Sequence, residues 1–152
     1  MVTVTRIFRT VFASVLIGLL AACSMLDEPP IPLPGGRWEL LSASFTDTGR
    51  IPGMPRATLE IRGDRIAAYS GCNNGTGSVA SVDGRMVVSE LAATRRACME
   101  PLGGFEARLF RLLREKPYFR TENGVLTLSA GDLSARFRQL PEVKPAAKPA
   151  QP

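Results

Sequence analysis

Gly77-Ser78-Val79-Ala80-Ser81-Val82-Asp83-Gly84-Arg85-Met86-Val87-Val88-Ser89-Glu90-Leu91 is the stretch on which the fold turns. Asp83-Gly84 is a two-residue pair suited to the positive-φ turn of a tight hairpin. This hairpin signal predicts strands over 77–82 and 85–91. The same grammar repeats outward. Upstream, Ala57, Leu59 and Ile61 alternate with Thr58, Glu60 and Arg62, and Gly63-Asp64 turns the chain into a strand over 65–70. Arg62-Gly63-Asp64 has the form of a cell-adhesion tripeptide, but a Gly-Asp turn between strands accounts for it. Downstream, Asn123-Gly124 joins strands over 118–121 and 125–129. Gly131-Asp132 leads into 133–140, where Leu133, Ala135 and Phe137 alternate with Ser134, Arg136 and Arg138. Trp38 to Ala43 supplies a first strand.

One segment breaks the period of two. Leu102, Phe105, Leu109, Leu112 and Leu113 recur at helical spacing, with Glu106, Arg108, Arg111 and Glu115 off that stripe. Pro101 suits a first helical turn and Pro117 a stop. Short strands, tight turns and one helix predict a mainly β domain: a small antiparallel sheet closed into a barrel or half-barrel, with the helix covering an open edge or plugging an end.

The flanks carry other information. Arg6 and Arg9 precede an apolar run from Val11 to Leu20, which ends in Leu20-Ala21-Ala22-Cys23. The run is short of the roughly 20 apolar residues of a durable membrane span. It has the layout of a lipoprotein leader, so residues 1–22 are expected to be removed and Cys23 to carry a covalent lipid. Ser24, in place of aspartate, implies by resemblance to Gram-negative lipoproteins an outer-membrane destination facing the periplasm. Asp27 to Pro34 holds four prolines, and so does Pro141 to Pro152. Such segments sustain neither a continuous helix nor a central strand. Residues 23–34 therefore read as a lipidated, Pro-rich tether, 35–140 as the domain (about 105 residues, small enough that a staple would help it), and 141–152 as a disordered Pro/Ala/Lys tail.

Net charge is +5 and falls by two when Arg6 and Arg9 leave with the leader. That balance is too mild to argue for nucleic acid, but it permits attraction to anionic surfaces. Arg95, Arg96, Arg108 and Arg111, with Arg114 and Lys116, form the main basic concentration. They read as a solvated helix face or, more sharply, as contacts for anionic lipid or an acidic partner, and Glu115 stands ready to pair with Arg111. The chain has no histidine, which removes the commonest metal ligand and the commonest general base near neutral pH. No phosphate loop, metal-spaced cluster or Ser/His/Asp set is visible, and carboxylates such as Glu60, Glu90 and Glu106 show no pairing in the sequence. No catalytic residue, metal or dissociable cofactor is expected.

Gly71-Cys72-Asn73-Asn74-Gly75-Thr76-Gly77 is the most unusual stretch and reads as a tight connection with positive-φ positions. With Trp38 and Leu40 or Leu41 upstream, and Thr94 and Cys98 downstream, it resembles the META-domain family, typified by HslJ-like heat-shock-inducible lipoproteins. Gly71, Cys72, Asn73, Gly77, Thr94 and Cys98 carry the resemblance, which spans about 38–137. Many members have an aromatic where this chain has Asn74-Gly75. The resemblance implies a compact barrel-like domain with one helix and no established enzymatic activity. It also implies an association with envelope stress and novobiocin sensitivity, and a fold like that of lipid-binding pilot lipoproteins.

With Cys23 lipidated in an oxidising compartment, Cys72 and Cys98 remain for one disulfide. It would close a loop of about 25 residues, worth roughly 3.5 kcal/mol. Free or metal-binding thiols are the alternative, and a catalytic pair is a third, although the Cys-x-x-Cys spacing is missing. Three functions follow: a lipid-anchored binding module of the envelope accepting an apolar ligand; a protein-interaction lipoprotein that inhibits a hydrolase or serves an envelope or secretion machine; and a thiol oxidoreductase.

Overall fold

The computed structural model describes residues 31–45 and 56–142. The expected leader, Cys23, most of the expected tether and most of the expected tail lie outside the described residues. The elements are β1 (Gly36–Ala43), β2 (Thr58–Arg62), β3 (Arg65–Tyr69), β4 (Asn74–Val82), β5 (Arg85–Ala93), α1 (Leu102–Arg114), β6 (Tyr118–Glu122), β7 (Val125–Ala130) and β8 (Leu133–Gln139). Each strand pairs antiparallel with its neighbours in the chain, and β8 returns to β1, so the sheet closes into an eight-stranded barrel. Closure removes the two free edges that an open sheet would leave to other chains. At the closing seam Glu39 sits opposite Arg138 and is held by Arg138 (2.8 Å) and Arg56 (2.9 Å). Burial pushes the Glu39 carboxyl up, but the Arg138 and Arg56 guanidiniums outweigh it and hold it below the usual carboxylate range.

Alternation sorts the side chains. Trp38 and Leu40 on β1, Leu59 and Ile61 on β2, Ile66 on β3, Leu126 and Leu128 on β7, and Phe137 on β8 all point inward and are fully buried. The helical stripe is buried as well, joined by Phe110, which the spacing had not singled out. At thirteen residues with Gly103 and Gly104 in its first turn, α1 would be marginal alone. Burying large apolar side chains, each worth about 1.5–3 kcal/mol, is what holds it. Pro101 is the N-cap of α1, just ahead of the first turn, and Glu100 accepts the otherwise unpaired N–H of Gly104 (3.2 Å). Arg111 and Arg114 stand in the last turn, where positive charge suits the helix dipole.

The barrel is thinnest between β5 and β6. Only Arg85 and Tyr118 are in register there, supplemented by bonds from Met86 N to Pro117 O (2.8 Å) and Phe119 N to Gly84 O (3.4 Å). Among the described residues no strand lies beside the far edge of β5 beyond Met86, and α1, which connects the two strands, packs against β5 there. The helix thus covers a gap in a closed barrel.

The stretch from Gly71 to Gly77 is not one connection, as the sequence had suggested. Gly71 alone of its glycines has positive φ (99°), and β4 begins at Asn74. Gly75 and Gly77 are strand residues required for space. A Cβ on Gly75 would stand 3.3 Å from the Phe110 ring, so the bare backbone is where α1 seats. A Cβ on Gly77 would meet Ser89 O at 2.6 Å. The pairing slips there: Thr76 faces Ala92 while Ser78 faces Ser89, so Glu90 and Leu91 together oppose Gly77. This is a β-bulge, with Glu90 at φ 53°.

Candidate functional site

The residues from Ser70 to Asn73 leave β3 in a tight turn, closed by Ser70 N donating to Asn73 O (3.0 Å). The turn places Asn73 inside the protein, 1 % exposed, one of the few polar side chains buried among the described residues. An amide there must have its donors and acceptor satisfied or destabilise the fold by a few kcal/mol. It is fully satisfied. Asn73 Nδ2 donates to Arg96 O (3.0 Å) and Glu106 Oε1 (2.9 Å), with Cys98 Sγ at 3.1 Å. Asn73 Oδ1 accepts from Thr94 Oγ1 (2.7 Å) and from the Arg96 N–H (2.8 Å). The Asn73 N–H reaches both Ser70 Oγ (3.0 Å) and Glu106 Oε2 (3.1 Å). Ser70 Oγ also accepts the Cys72 N–H and donates to Glu106 Oε2.

Beside this hub the sulfurs of Cys72 and Cys98 are 2.00 Å apart and their Cα atoms 6.2 Å apart, at disulfide distance. Every motif residue therefore has a local physical role. Gly71 supplies the positive φ, Cys72 and Cys98 the covalent tie, Asn73 the hub, Thr94 a bond to it, and Gly77 the clearance for the bulge. Together they pin the segment that follows β5, residues 94–98, against the turn that follows β3 and the first half of α1.

The atoms of Cys72, Cys98 and Glu106 lie within 4.8 Å of one another, which is a possible metal grouping. It fits a metal poorly. Bonded sulfurs lack the thiolate that a metal needs, and Glu106 is already engaged by Ser70 and by both the backbone and the side chain of Asn73. The same bond leaves neither sulfur free to act as a nucleophile.

Outside the hub lies a cleft of about 660 Å³ between the end of β5 and α1. Leu91, Ala93 and Phe110 give it an apolar floor, Asn73 and Glu106 its inner end, and Arg95, Arg96 and Arg114 its exposed rim. Of the arginines expected to contact anions, Arg95 and Arg96 are brought together here. Arg108 instead donates to Phe45 O (3.3 Å), and Arg111 pairs with Glu115 (2.6 Å), neither lining the cleft. Among the described residues no carboxylate lies within ion-pair distance of Arg95, Arg96 or Arg114. Sequence reasoning missed Ser70 and left Glu106 unpaired. The one available signal was the place of Glu106, between Phe105 and the turn that ends in Phe110, where a carboxylate at the border of an apolar stripe is half-buried.

No curated protein matches the chain. Two solved structures share its fold. One, an NMR structure of a protein, superposes with a TM-score of 0.61 at 19 % identity over 70 % of this chain and 91 % of its own. The other, an NMR structure of a protein from Burkholderia xenovorans, gives 0.57 at 21 % identity over 78 % of this chain and 99 % of its own. The family model for the META domain matches residues 31–141. That match spans the whole barrel, the hub and the helix, and this chain belongs to the META-domain family.

Proposed function

We propose that this chain is an HslJ-like, lipid-anchored and non-enzymatic module of the bacterial cell envelope, facing the periplasm from the outer membrane and working by binding. The non-enzymatic part rests on one observation: the chemically distinctive residues of the motif are engaged with one another. Asn73 has no unused donor or acceptor, Cys72 and Cys98 sit at bonding distance, and Glu106 is held by Ser70 and Asn73. A group already tied into a buried network is a support for the fold, whereas a catalytic group needs an unsatisfied side facing substrate. The anchoring part rests on Arg6, Arg9, the apolar run and Leu20-Ala21-Ala22-Cys23. The binding part rests on the arginine-rimmed cleft, because the barrel interior is filled by Trp38, Leu59, Ile61, Met86, Leu126 and Phe137.

Expression of the full chain in a Gram-negative host with radiolabelled palmitate tests the anchor. Label should appear in the protein and in the outer-membrane fraction, and Cys23→Ser should remove both. An unlabelled, uncleaved chain in the cytosol would overturn the proposal. A stoichiometric protein that co-purifies with the anchored chain would point instead to an accessory-subunit or inhibitor role.

A further inference from the structure

We propose that the cleft between β5 and α1 is a ligand site for a single-chain anionic amphiphile. Its oxyanion head would be held by Arg95, Arg96 and Arg114, and its chain would lie over Leu91, Ala93 and Phe110. The proposal deepens the binding-module reading above and rests on it.

The charge is the first reason. The rim holds three exposed guanidiniums with no ion-pair partner among the described residues. Guanidinium pairs oxyanions through two parallel N–H donors, which makes it better suited to a carboxylate or phosphate than a point charge. Glu106 places one carboxylate at the inner end of the cleft, fixed there by Ser70 and Asn73. It repels an anionic head from that end and leaves the rim as the place for it, so the ligand has one favoured direction.

The shape is the second reason. Pairing to β6 stops at Met86, so among the described residues β5 from Val87 to Ala93 has no strand on that side, and the cleft lies between the Leu91 to Ala93 end of this edge and the helix. The bulge at Glu90 and Leu91, which bends a strand locally, lies at its start. The cleft has a volume of about 660 Å³, within the range of small-molecule sites, and is open to solvent on its outer side.

The third reason is rigidity. Arg96 carries the backbone N–H and C=O that Asn73 grips, Thr94 bonds both Asn73 and Asn74, and Cys98 closes the segment to Cys72. The arginine-bearing segment is held before any ligand arrives, which lowers the ordering cost of binding. The family motif lies directly behind this segment and acts as its mount.

The test uses the full chain in nanodiscs of neutral phosphatidylcholine, titrated with radiolabelled decanoate and corrected with empty nanodiscs. Saturable binding is expected. Decanol and acetate should compete at least about tenfold more weakly, and joint replacement Arg95→Ala/Arg96→Ala should weaken decanoate by about tenfold or more, as loss of charged hydrogen bonds implies. Ala92→Trp, which crowds the cleft from an exposed position, should weaken it too. Arg108→Ala, outside the cleft, should leave it unchanged. No saturable binding, equal competition by decanol or acetate, or indifference to the arginine pair would overturn the inference. Vesicles containing anionic phospholipid should not displace decanoate; displacement would identify a bilayer surface as the occupant and overturn it also. Palmitate on Cys23 is read on the same preparation. A lipidated chain without decanoate binding removes only this site, and a decanoate-binding chain without lipid removes only the anchor.

Discussion

Replacing Asn73 by alanine should be among the costliest single changes in the domain. The side chain is 1 % exposed and makes four good hydrogen bonds, to Arg96 O, Glu106 Oε1, Thr94 Oγ1 and the Arg96 N–H. Neutral bonds contribute about 1 kcal/mol each and one to a charged group about 2, so their loss sums to about 5 kcal/mol. Asn73 also lines the inner end of an open cleft. Water can therefore reach some of the stranded groups, which lowers the expected cost to about 3–4 kcal/mol. That is a large share of the 5–15 kcal/mol typical of a whole domain. The assay is urea unfolding of the oxidised protein followed by the fluorescence of Trp38, the single tryptophan and 1 % exposed, so its signal reports the barrel. Asn74→Ala is the control. Asn74 is an exposed strand residue, and its replacement should shift stability by less than about 0.5 kcal/mol. A loss below about 1 kcal/mol for Asn73→Ala would refute the hub.

Other perturbations probe independent parts. Gly77→Ala drives a Cβ to 2.6 Å from a backbone oxygen of β5, where nothing flexible can give way; a loss above about 2 kcal/mol is expected in the same unfolding assay, against about 1 kcal/mol for Gly124→Ala, whose turn position has positive φ but open space. Cys72→Ser with Cys98→Ser opens a loop with a sequence separation of 26, and the chain-entropy relation gives a loss of about 3.5 kcal/mol; urea midpoints that coincide for oxidised and reduced protein would contradict it. Glu39 is held below its ordinary pKa, so its contribution is present above the unfolded carboxylate pKa and is lost as pH falls through the folded one. Because the pair is partly solvated the effect is small, under about 1 kcal/mol, and Glu39→Gln should lose it at neutral pH but not in acid.

The elements themselves were legible because each obeys a local rule. Asp83-Gly84 and Asn123-Gly124 fix hairpins through their own dihedral preferences, and both pairs adopt positive φ in the structure. Alternation along β2 and β8, and the helical stripe of α1, report burial on one face, which is a property of neighbouring residues in the chain. The Gly-Cys-Asn stretch announced itself by composition. Its division into one turn glycine and two strand glycines did not, because Gly75 is needed for Phe110 and Gly77 for Ser89, partners distant in the chain.

What the amino-acid order determined alone was therefore the set of strands, the helix and the hairpin turns; the disulfide between Cys72 and Cys98 was one of three readings until the structure brought the sulfurs together. Tertiary structure alone decided the rest. It closed the barrel at β1 and β8, left the gap at β5 and β6 for the helix, and brought Glu106 to Asn73 across 33 positions. It also gathered Arg95, Arg96 and Arg114 while leaving Arg108 and Arg111 elsewhere. Dihedral preference and face periodicity act over a few residues and can be read from one segment. A hydrogen bond or a cleft depends on where two segments meet, and that position is set only once the whole sheet has closed.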